Sequence, residues 1–244
     1  MTAITIENLK KNYKDVTAVS GLSLAIEDGE LFSLLGVNGA GKTTTIKMLS
    51  TLTAPTGGDA AVYGYSIRKE PGKIRELIDI SMQETAVARK LTVAENIEFY
   101  ARLSGLNAAE TADVKKDLYA AFGLESVKDK QAQKLSGGWQ RKLSIALALV
   151  SRPKVLFLDE PTLGLDVIAR RELWKMIAAL KGKMTVVLTT HYLEEAEALS
   201  DRIGIMKEGK LLFAGTKEEL YRKTGKMNVE DAFIHLVAGG DLDA

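Results

Sequence analysis

"LFSLLGVNGAGKTT", Leu31 to Thr44, joins a short apolar run to a loop of glycines. The apolar run ends in glycine and is typical of a buried strand, and a helical pattern follows the loop. The loop satisfies G-x-x-x-x-G-K-[ST] within Gly36 to Thr44. Glycines let the chain wrap closely round phosphate oxygens, with a helix N-terminus behind them. The stretch therefore predicts a phosphate-binding loop, and the alternative is an ordinary glycine turn beside an exposed lysine.

The predicted loop contains Gly36 and a row of backbone N–H groups that we expect to point inward, from Asn38, Gly39, Ala40, Gly41, Lys42, Thr43 and Thr44. The Lys42 ammonium can reach the terminal phosphates of a nucleotide, and the Thr43 hydroxyl can bind Mg²⁺.

A second acidic site is predicted at "VLFLDEP", where a buried strand ends in adjacent carboxylates. Adjacent side chains of a strand point in opposite directions. Asp159 is therefore expected to serve the magnesium shell, while Glu160 turns toward an attacking water. A solvated acidic strand end is the alternative. The chain contains no Asn-Lys-x-Asp motif, which disfavours a GTPase.

The remaining pattern predicts an α/β fold. Alternation of apolar and polar residues near Ile4 and Leu24 predicts two half-buried strands, and the runs "VLFLDE" and "TVVLTTH" predict buried ones. Helical patterns separate these runs, which favours a mostly parallel sheet. The segment from about 85 to 151 is predicted to be an inserted helical subdomain. A hairpin at Glu208-Gly209 and a polar helical tail are expected after it.

Composition restricts the class of protein. The chain has 244 residues, 46% of them hydrophobic, and Lys+Arg 33 against Asp+Glu 32, which favours a globular fold with no general attraction to nucleic acid. There are no cysteines, so thiol chemistry is excluded. We expect no secretory signal at the start, and the longest strongly apolar piece, "IALALV", is too short to cross a bilayer. A membrane role is therefore expected to use another protein's spans.

Six ordered motifs resemble those of the ATP-binding cassette ATPases, the motor subunits of ABC transporters. The phosphate loop and the strand carboxylates Asp159 and Glu160 are two of them. Tyr13 stands in the place of an adenine-stacking aromatic, and Gln83 in the place of a glutamine that contacts Mg²⁺ and senses the membrane partner. The other two motifs are the family signature "LSGG", Leu135 to Gly138, and "LGLD", Leu163 to Asp166, taken with the switch histidine His191.

The resemblance implies a RecA-like P-loop NTPase fold with an N-terminal antiparallel β subdomain. It implies ATP and Mg²⁺, with Thr43, Gln83 and Asp159 at the metal and Glu160 with His191 in catalysis. Two subunits, identical or different, are expected to pack head to tail, so that each ATP also meets the partner's Ser136, Gly137 and Gly138, with Asp166 nearby. A separate permease is expected to hold the subunits at the cytoplasmic face of the membrane. The predicted division is an ATP-binding domain over 1–218 and a helical extension over 219–244.

One residue departs from the usual signature. Trp139 stands where glutamine is commonest, although branches that resemble drug and lipid exporters also carry a bulky residue there. "TTHYLEEAEALSDRIGIMKEGKLLFAGT" resembles the ABC-2 type drug, sodium and lipid exporter ATPases, which favours export.

Simpler readings remain open for several residues. Tyr13 is consistent with packing, Gln83 with a surface amide and His191 with a hydrogen-bonded sheet-edge histidine. The acidic run of Glu194, Glu195 and Glu197 is expected to be a solvated helix face. His235 is assigned no functional role. For the whole chain, the alternatives to a transporter motor are a soluble non-transport cassette ATPase and a nucleotide-gated interaction module.

Overall fold

A computed structural model describes residues 1–239. Six strands form the larger sheet, in the order β10-β9-β3-β8-β7-β6. All neighbours in it are parallel except β9 and β10. Their bounds are β3 Leu31–Gly36, β6 Ile78–Ser81, β7 Val155–Asp159, β8 Thr185–Thr190, β9 Arg202–Lys207 and β10 Lys210–Gly215. The predicted mostly parallel sheet is confirmed.

The smaller sheet is antiparallel, in the order β2-β1-β4-β5. Its strands are β1 Thr2–Tyr13, β2 Val16–Glu27, β4 Gly57–Val62 and β5 Tyr65–Ser66. The first two alternate buried and exposed residues over much of their length, because one face packs on the core and the other meets water. This is the N-terminal antiparallel subdomain that the sequence predicted.

The α-helices cover the parallel sheet and fill the insert. They are α1 Lys42–Leu49, α2 Pro71–Arg75, α3 Val93–Leu103, α4 Ala108–Phe122, α5 Gly137–Ala148, α6 Val167–Ala178, α7 Leu193–Leu199, α8 Lys217–Thr224 and α9 Val229–Ala238. Two 3₁₀ turns, Leu124–Val127 and Ala132–Lys134, precede α5. Within residues 1–239, no helix is long and apolar enough to span a bilayer.

The predicted insert, 85–151, contains α3, α4 and α5. Its buried residues, such as Leu118 and Phe122, belong to one apolar cluster with Leu156 and Leu158 of β7. The insert therefore shares a core with the sheet. The predicted division between 218 and 219 falls inside α8, and residues 240–244 of the predicted extension lie outside the described residues. Those boundaries stay a prediction.

Candidate functional site

The loop between β3 and α1 is packed so closely that two of its glycines have no room for a side chain. A Cβ on Gly41 would lie 2.4 Å from the carbonyl oxygen of Ala18, and φ of Gly41 is 103°. A Cβ on Gly36 would lie 2.6 Å from the carbonyl oxygen of Met206. A larger residue at either glycine would therefore displace the loop.

The loop also supplies a helix N-terminus. Helix α1 begins at Lys42, and no side chain caps it. Its first amides consequently have no partner inside the helix, as at other anion-binding N-termini. Ala40 differs from the sequence prediction, because its N–H donates to the Val37 carbonyl at 3.1 Å. The expected row of inward amides is interrupted there, since the loop makes a tight turn.

Lys42 is buried where the loop meets the strand carboxylates. Its Nζ donates to the Gly36 carbonyl at 2.7 Å and lies 3.4 Å from Glu160 Oε1. Its side chain is only 6% exposed. A cation this buried needs such partners, because leaving it unpaired would carry a large desolvation cost.

Asp159 ends β7 and faces the start of α1. Its Oδ1 accepts hydrogen bonds from Thr43 Oγ1, at 3.0 Å, and from the Thr189 hydroxyl. Its Oδ2 is buried and has no hydrogen-bond partner among residues 1–239. A buried acceptor without a partner is costly. The structure therefore brings together the hydroxyl and the carboxylate that the sequence assigned to magnesium, with one carboxylate oxygen unpaired.

Glu160 lies just beyond β7, so the strand alternation on which its orientation was predicted does not apply. Its N–H donates to the Thr189 carbonyl at 3.0 Å, and its φ is 48°. A left-handed backbone is uncommon for a residue other than glycine and is concentrated at functional sites. Because of this backbone turn, the Glu160 carboxylate contacts Lys42, while Asp159 contacts Thr43, the next residue of the chain.

Glu160 also contacts His191. Its Oε2 lies 2.8 Å from His191 Nδ1, and the His191 ring packs against Tyr192 with centroids 4.3 Å apart. The Glu160 carboxylate thus bridges Lys42 and His191. A carboxylate and an imidazole within hydrogen-bond reach form a pair that can orient water and move a proton.

A cleft of about 480 Å³ opens over these residues. It is lined by all of the predicted loop residues from Asn38 to Thr44 and by Tyr13, Gln83, Glu160 and His191. Tyr13 lies at the end of β1, half exposed, with the Lys11 ammonium 4.9 Å from its ring centre. Gln83 follows β6 on an exposed loop. Leu163 of "LGLD" also lines the cleft, so five of the six motifs contribute at least one residue to its lining.

The signature residues do not line that cleft. Ser136 is the N-cap of α5, but its hydroxyl makes no capping hydrogen bond, and a Cβ on Gly137 would meet nothing within 4 Å. Asp166 is the N-cap of α6, and its Oδ1 accepts from the amides of Ile168 and Ala169 at 2.9 Å. The signature is therefore a second helix N-terminus, open and separate from the phosphate loop of its own chain.

Trp139 has a packing explanation. The ring is partly buried against the core cluster that the insert shares with the sheet. The Lys142 ammonium lies 4.4 Å from its centre, and Lys142 also forms a 2.8 Å ion pair with Glu172 of α6. The ring and the ion pair together join α5 to α6 beside the signature.

Sequence reasoning missed Arg141, on the same helix. Arg141 is 4% exposed, and within residues 1–239 its guanidinium donates only to backbone carbonyls. The acceptors are Met82, Gln83, Asp159, Glu160 and Pro161. The one signal in the sequence is the pair of adjacent cations, Arg141 and Lys142, directly before the apolar part of α5.

Sequence reasoning also missed Glu195, which it treated with Glu194 and Glu197 as a solvated helix face. Glu195 is fully buried on α7. Its Oε1 accepts from the Trp174 indole at 2.9 Å, and its Oε2 has no hydrogen-bond partner in the described part of the chain. Burial raises the pKa of Glu195; the nearby hydroxyls of Thr190 and Thr162 and the Trp174 indole oppose this, and the charge of Glu160 adds to it. The charge of Glu195 is in turn one of three that oppose the lowering of the Arg141 pKa by burial.

Glu195→Gln is expected to become more stable, relative to the wild type, as pH rises. The folded chain holds the Glu195 proton to higher pH than the unfolded chain does. The contribution of Glu195 to stability is therefore complete below the ordinary glutamate pKa and is lost as pH rises through the raised one. Glutamine cannot ionise and keeps an acceptor for Trp174. Urea unfolding from pH 5 to 8 measures the difference.

Glu194→Gln is the matched control, because Glu194 is the exposed neighbour on the same helix. It should leave the free energy of unfolding close to that of the wild type. A Glu195→Gln difference that stays constant from pH 5 to 8 would show that Glu195 does not titrate in this range.

Comparison with known proteins places the chain in a class. The family model described as "ABC transporter" matches residues 19–163. The chain is 42% identical over 229 residues to human phospholipid-transporting ATPase ABCA3, covering 92% of this chain but 13% of that protein. It is 41% identical over 224 residues to the daunorubicin/doxorubicin resistance ATP-binding protein DrrA of Streptomyces peucetius, covering 91% of this chain and 68% of DrrA.

A solved structure agrees with these relatives. The ATP-binding cassette MJ0796, a dimer bound to ADP and Pi in a post-hydrolysis state, matches with a TM-score of 0.79 and 26% identity, over 87% of this chain and 98% of that one. Fold, phosphate loop and strand carboxylates thus define a P-loop ATPase. More narrowly, the chain belongs to the ABC transporter family and is one of its ATP-binding ATPase domains.

Proposed function

We propose that this chain is the ATP-hydrolysing motor subunit of an ABC transporter and that it drives export through a separate membrane permease. One observation carries the proposal. Glu160, in contact with both Lys42 and His191, lies in the same cleft as the phosphate loop. A phosphate anchor and a candidate general base therefore meet at one place.

The cleft suits ATP in shape and charge. The open N-terminus of α1 and the Lys42 ammonium favour the phosphates, and glycines let the backbone approach them. Tyr13 at the rim offers a flat face to adenine. When ATP binds, Lys42 exchanges the Gly36 carbonyl and Glu160 for phosphate oxygens. That exchange frees one oxygen of Glu160 for water.

The residues also fit Mg²⁺. The ion is usually held by one or two carboxylates together with substrate phosphates. The unpaired, buried Oδ2 of Asp159 supports the fit, because a cation or its water would satisfy that oxygen. Thr43, Gln83 and Asp159 would hold the ion. When bound, it would stabilise charge on the phosphoryl oxygens.

Glu160 and His191 direct the attack of water on the terminal phosphate. Glu160 accepts the proton of that water, and His191 hydrogen-bonds the terminal phosphate and keeps Glu160 in place. Hydrolysis depends mainly on positioning and electrostatic stabilisation, so the contacts that fix Glu160 matter as much as its basicity.

Two subunits share each ATP. The open α5 N-terminus at Ser136, Gly137 and Gly138 does not line its own chain's cleft, so it is available to the γ-phosphate side of a partner's nucleotide. Asp166, at the start of α6, lies at the predicted subunit junction. The similarity to a dimeric cassette supports this arrangement. The second subunit is an identical or a related ATPase.

Movement passes to the permease through Gln83 and the helical insert. The Gln83 loop precedes α3, on which Phe99 is 47% and Leu103 68% exposed. Exposed apolar side chains of this size favour a protein partner. The subunit then acts at the cytoplasmic face of the membrane, and the relatives' names support the drug and lipid exporter branch.

Two other functions are considered. A nucleotide-gated module with little turnover is disfavoured by the Glu160–His191 contact, which serves hydrolysis. A soluble non-transport cassette ATPase would lack a membrane partner and is addressed by the experiment below.

The test is purification of the tagged chain from detergent-solubilised membranes of its native host. We expect a membrane protein with several hydrophobic spans in fixed ratio with the chain, and faster phosphate release by that complex than by the chain alone. Recovery of the chain only in the soluble fraction, with its full ATPase rate, would favour a soluble cassette ATPase.

A further inference from the structure

Arg141 hydrogen-bonds two segments beside the cleft of its own chain, residues 82–83 after β6 and residues 159–161 at the end of β7. These are called the catalytic segments below. Its Nη1 donates to the carbonyls of Met82 at 2.5 Å and Gln83 at 3.2 Å. Its Nη2 donates to those of Asp159 at 3.0 Å and Glu160 at 2.8 Å. The Nε donates to Pro161 at 2.6 Å. One side chain thus spans the loop after β6 and the end of β7.

The chemistry of these contacts is unusual for a buried cation. Burial lowers the pKa of Arg141 to about 10, and the charges of Asp159, Glu195 and Glu160 oppose the shift. Yet among the residues that the structure describes, Arg141 hydrogen-bonds main-chain oxygens and no carboxylate. A planar fork with fixed donors holds several carbonyls in one geometry. The contacts therefore fix the backbone of Gln83 and Glu160.

The backbone that Arg141 holds is strained at Glu160. The φ of 48° at Glu160 is costly and persists only where neighbours enforce it. The Thr189 carbonyl holds the Glu160 N–H, and Arg141 holds its carbonyl. Arg141 thus helps to set the direction in which the Glu160 carboxylate leaves the chain.

Arg141 is also rigidly linked to the signature. It lies five residues after Ser136 on α5, a separation of about 7.5 Å along a helix. A displacement of the α5 N-terminus therefore moves the guanidinium with it. The helix connects the open signature end to the carbonyls of the catalytic segments.

We propose that Arg141 is a positioning residue through which nucleotide bound at the signature of a chain aligns Gln83 and Glu160 in that chain's own cleft. The proposal rests on the shared-site dimer of the proposed function. It makes the two ATP sites of a dimer dependent on each other, because each chain's signature serves one site and its cleft serves the other.

Arg141→Lys tests this, since lysine keeps the charge and loses the fork. We expect kcat for ATP hydrolysis to fall by about 10- to 100-fold, the cost of misplacing a catalytic group by about 1 Å. KM and the ATP dissociation constant should stay within about twofold, since the phosphate loop is intact. The Hill coefficient for ATP should fall to one. Arg102→Lys, an exposed arginine of α3, is the control.

A second measurement does not require the Arg141 variant to fold. In a Glu160→Gln chain, Ser136→Arg blocks the signature and leaves the phosphate loop able to bind ATP. Amide hydrogen exchange at 82–84 and at positions 160 and 162, slowed by ATP–Mg²⁺ in Glu160→Gln alone, should then return to the nucleotide-free rate. Exchange that stays slow in both segments would overturn the proposal.

The outcomes distinguish a failure of the Arg141 proposal from a failure of the proposed function on which it rests. The proposed function would be contradicted if the wild-type chain did not hydrolyse ATP and the Glu160→Gln chain did not pair. A wild-type chain that hydrolyses ATP cooperatively, beside a folded Arg141→Lys chain with unchanged kcat and Hill coefficient, would overturn the role of Arg141 alone. Loss of kcat with a matching loss of ATP affinity would also overturn it, as a merely structural effect.

Discussion

Glu160→Gln is expected to bind ATP and keep two chains paired while turnover falls by about 10²- to 10⁴-fold, the usual contribution of a general base. Glutamine has nearly the shape of glutamate but cannot accept the water proton. The variant also removes the negative charge beside Lys42 and His191, so phosphate binding should not weaken. Phosphate release gives the rate, and sedimentation velocity with ATP–Mg²⁺ gives the pairing.

Glu194→Gln is the control, because it removes one carboxylate from an exposed position near His191. It should keep the wild-type rate. Steady-state hydrolysis by Glu160→Gln close to that of the wild type would mean that another group, or water itself, takes the proton.

Lys42→Ala is expected to weaken ATP binding by about 10- to 100-fold, since hydrogen bonds to a charged group contribute about 1.5–3 kcal/mol. The Lys42 ammonium is buried beside the Gly36 carbonyl and Glu160, so its removal takes a fixed positive charge from the cleft. The variant also leaves the buried Glu160 without its cationic partner, which lowers stability. Calorimetric titration with ATP measures the affinity, and thermal unfolding checks the fold.

Lys47→Ala is matched to it, because Lys47 lies further along the same helix and outside the cleft. It should bind ATP with wild-type affinity. Equal affinity in a folded Lys42→Ala chain would remove Lys42 from the phosphate site.

The sequence predicted the features that depend on local patterns. A short apolar run, glycines at fixed spacing and a following helical pattern predict a strand, a tight loop and a helix, and the structure has β3, the loop and α1 in that order, with Lys42 and Thr43 at the start of the helix. The parallel sheet follows from the alternation of strands and helices. These inferences succeed because strand and helix periodicity and glycine geometry act over a few neighbouring residues.

Features set by distant segments could not be predicted. Glu160 was placed by strand alternation, but β7 ends at Asp159 and the φ of Glu160 is 48°. The acceptors of Arg141 lie 18 to 59 residues away along the chain. Strand β4, "GGDAAV", has weak strand propensity and forms because it pairs with β1. In each case tertiary contacts outweighed local preference.

Glu195 is another residue whose environment the local pattern did not predict, because the pattern indicated exposure and the residue is buried. Its acidic neighbours gave α7 the pattern of a solvated helix, and one residue of that run is fully buried against Trp174. The three glutamates lie within four residues, so the sequence alone does not show which of them faces the core. The packing of α6 on α7 determines which one is buried.

The shared ATP site is the central claim, and pairing of two defective chains tests it most directly. Both chains carry Glu160→Gln; one adds Lys42→Ala and the other Ser136→Arg, at an exposed signature residue. Neither chain alone should pair with ATP–Mg²⁺. Mixed and isolated by different tags, they should form a dimer that retains a single ATP, held by the intact loop of one chain and the intact signature of the other. A mixture that neither pairs nor retains ATP, while Glu160→Gln alone does both, would contradict a site shared between two chains.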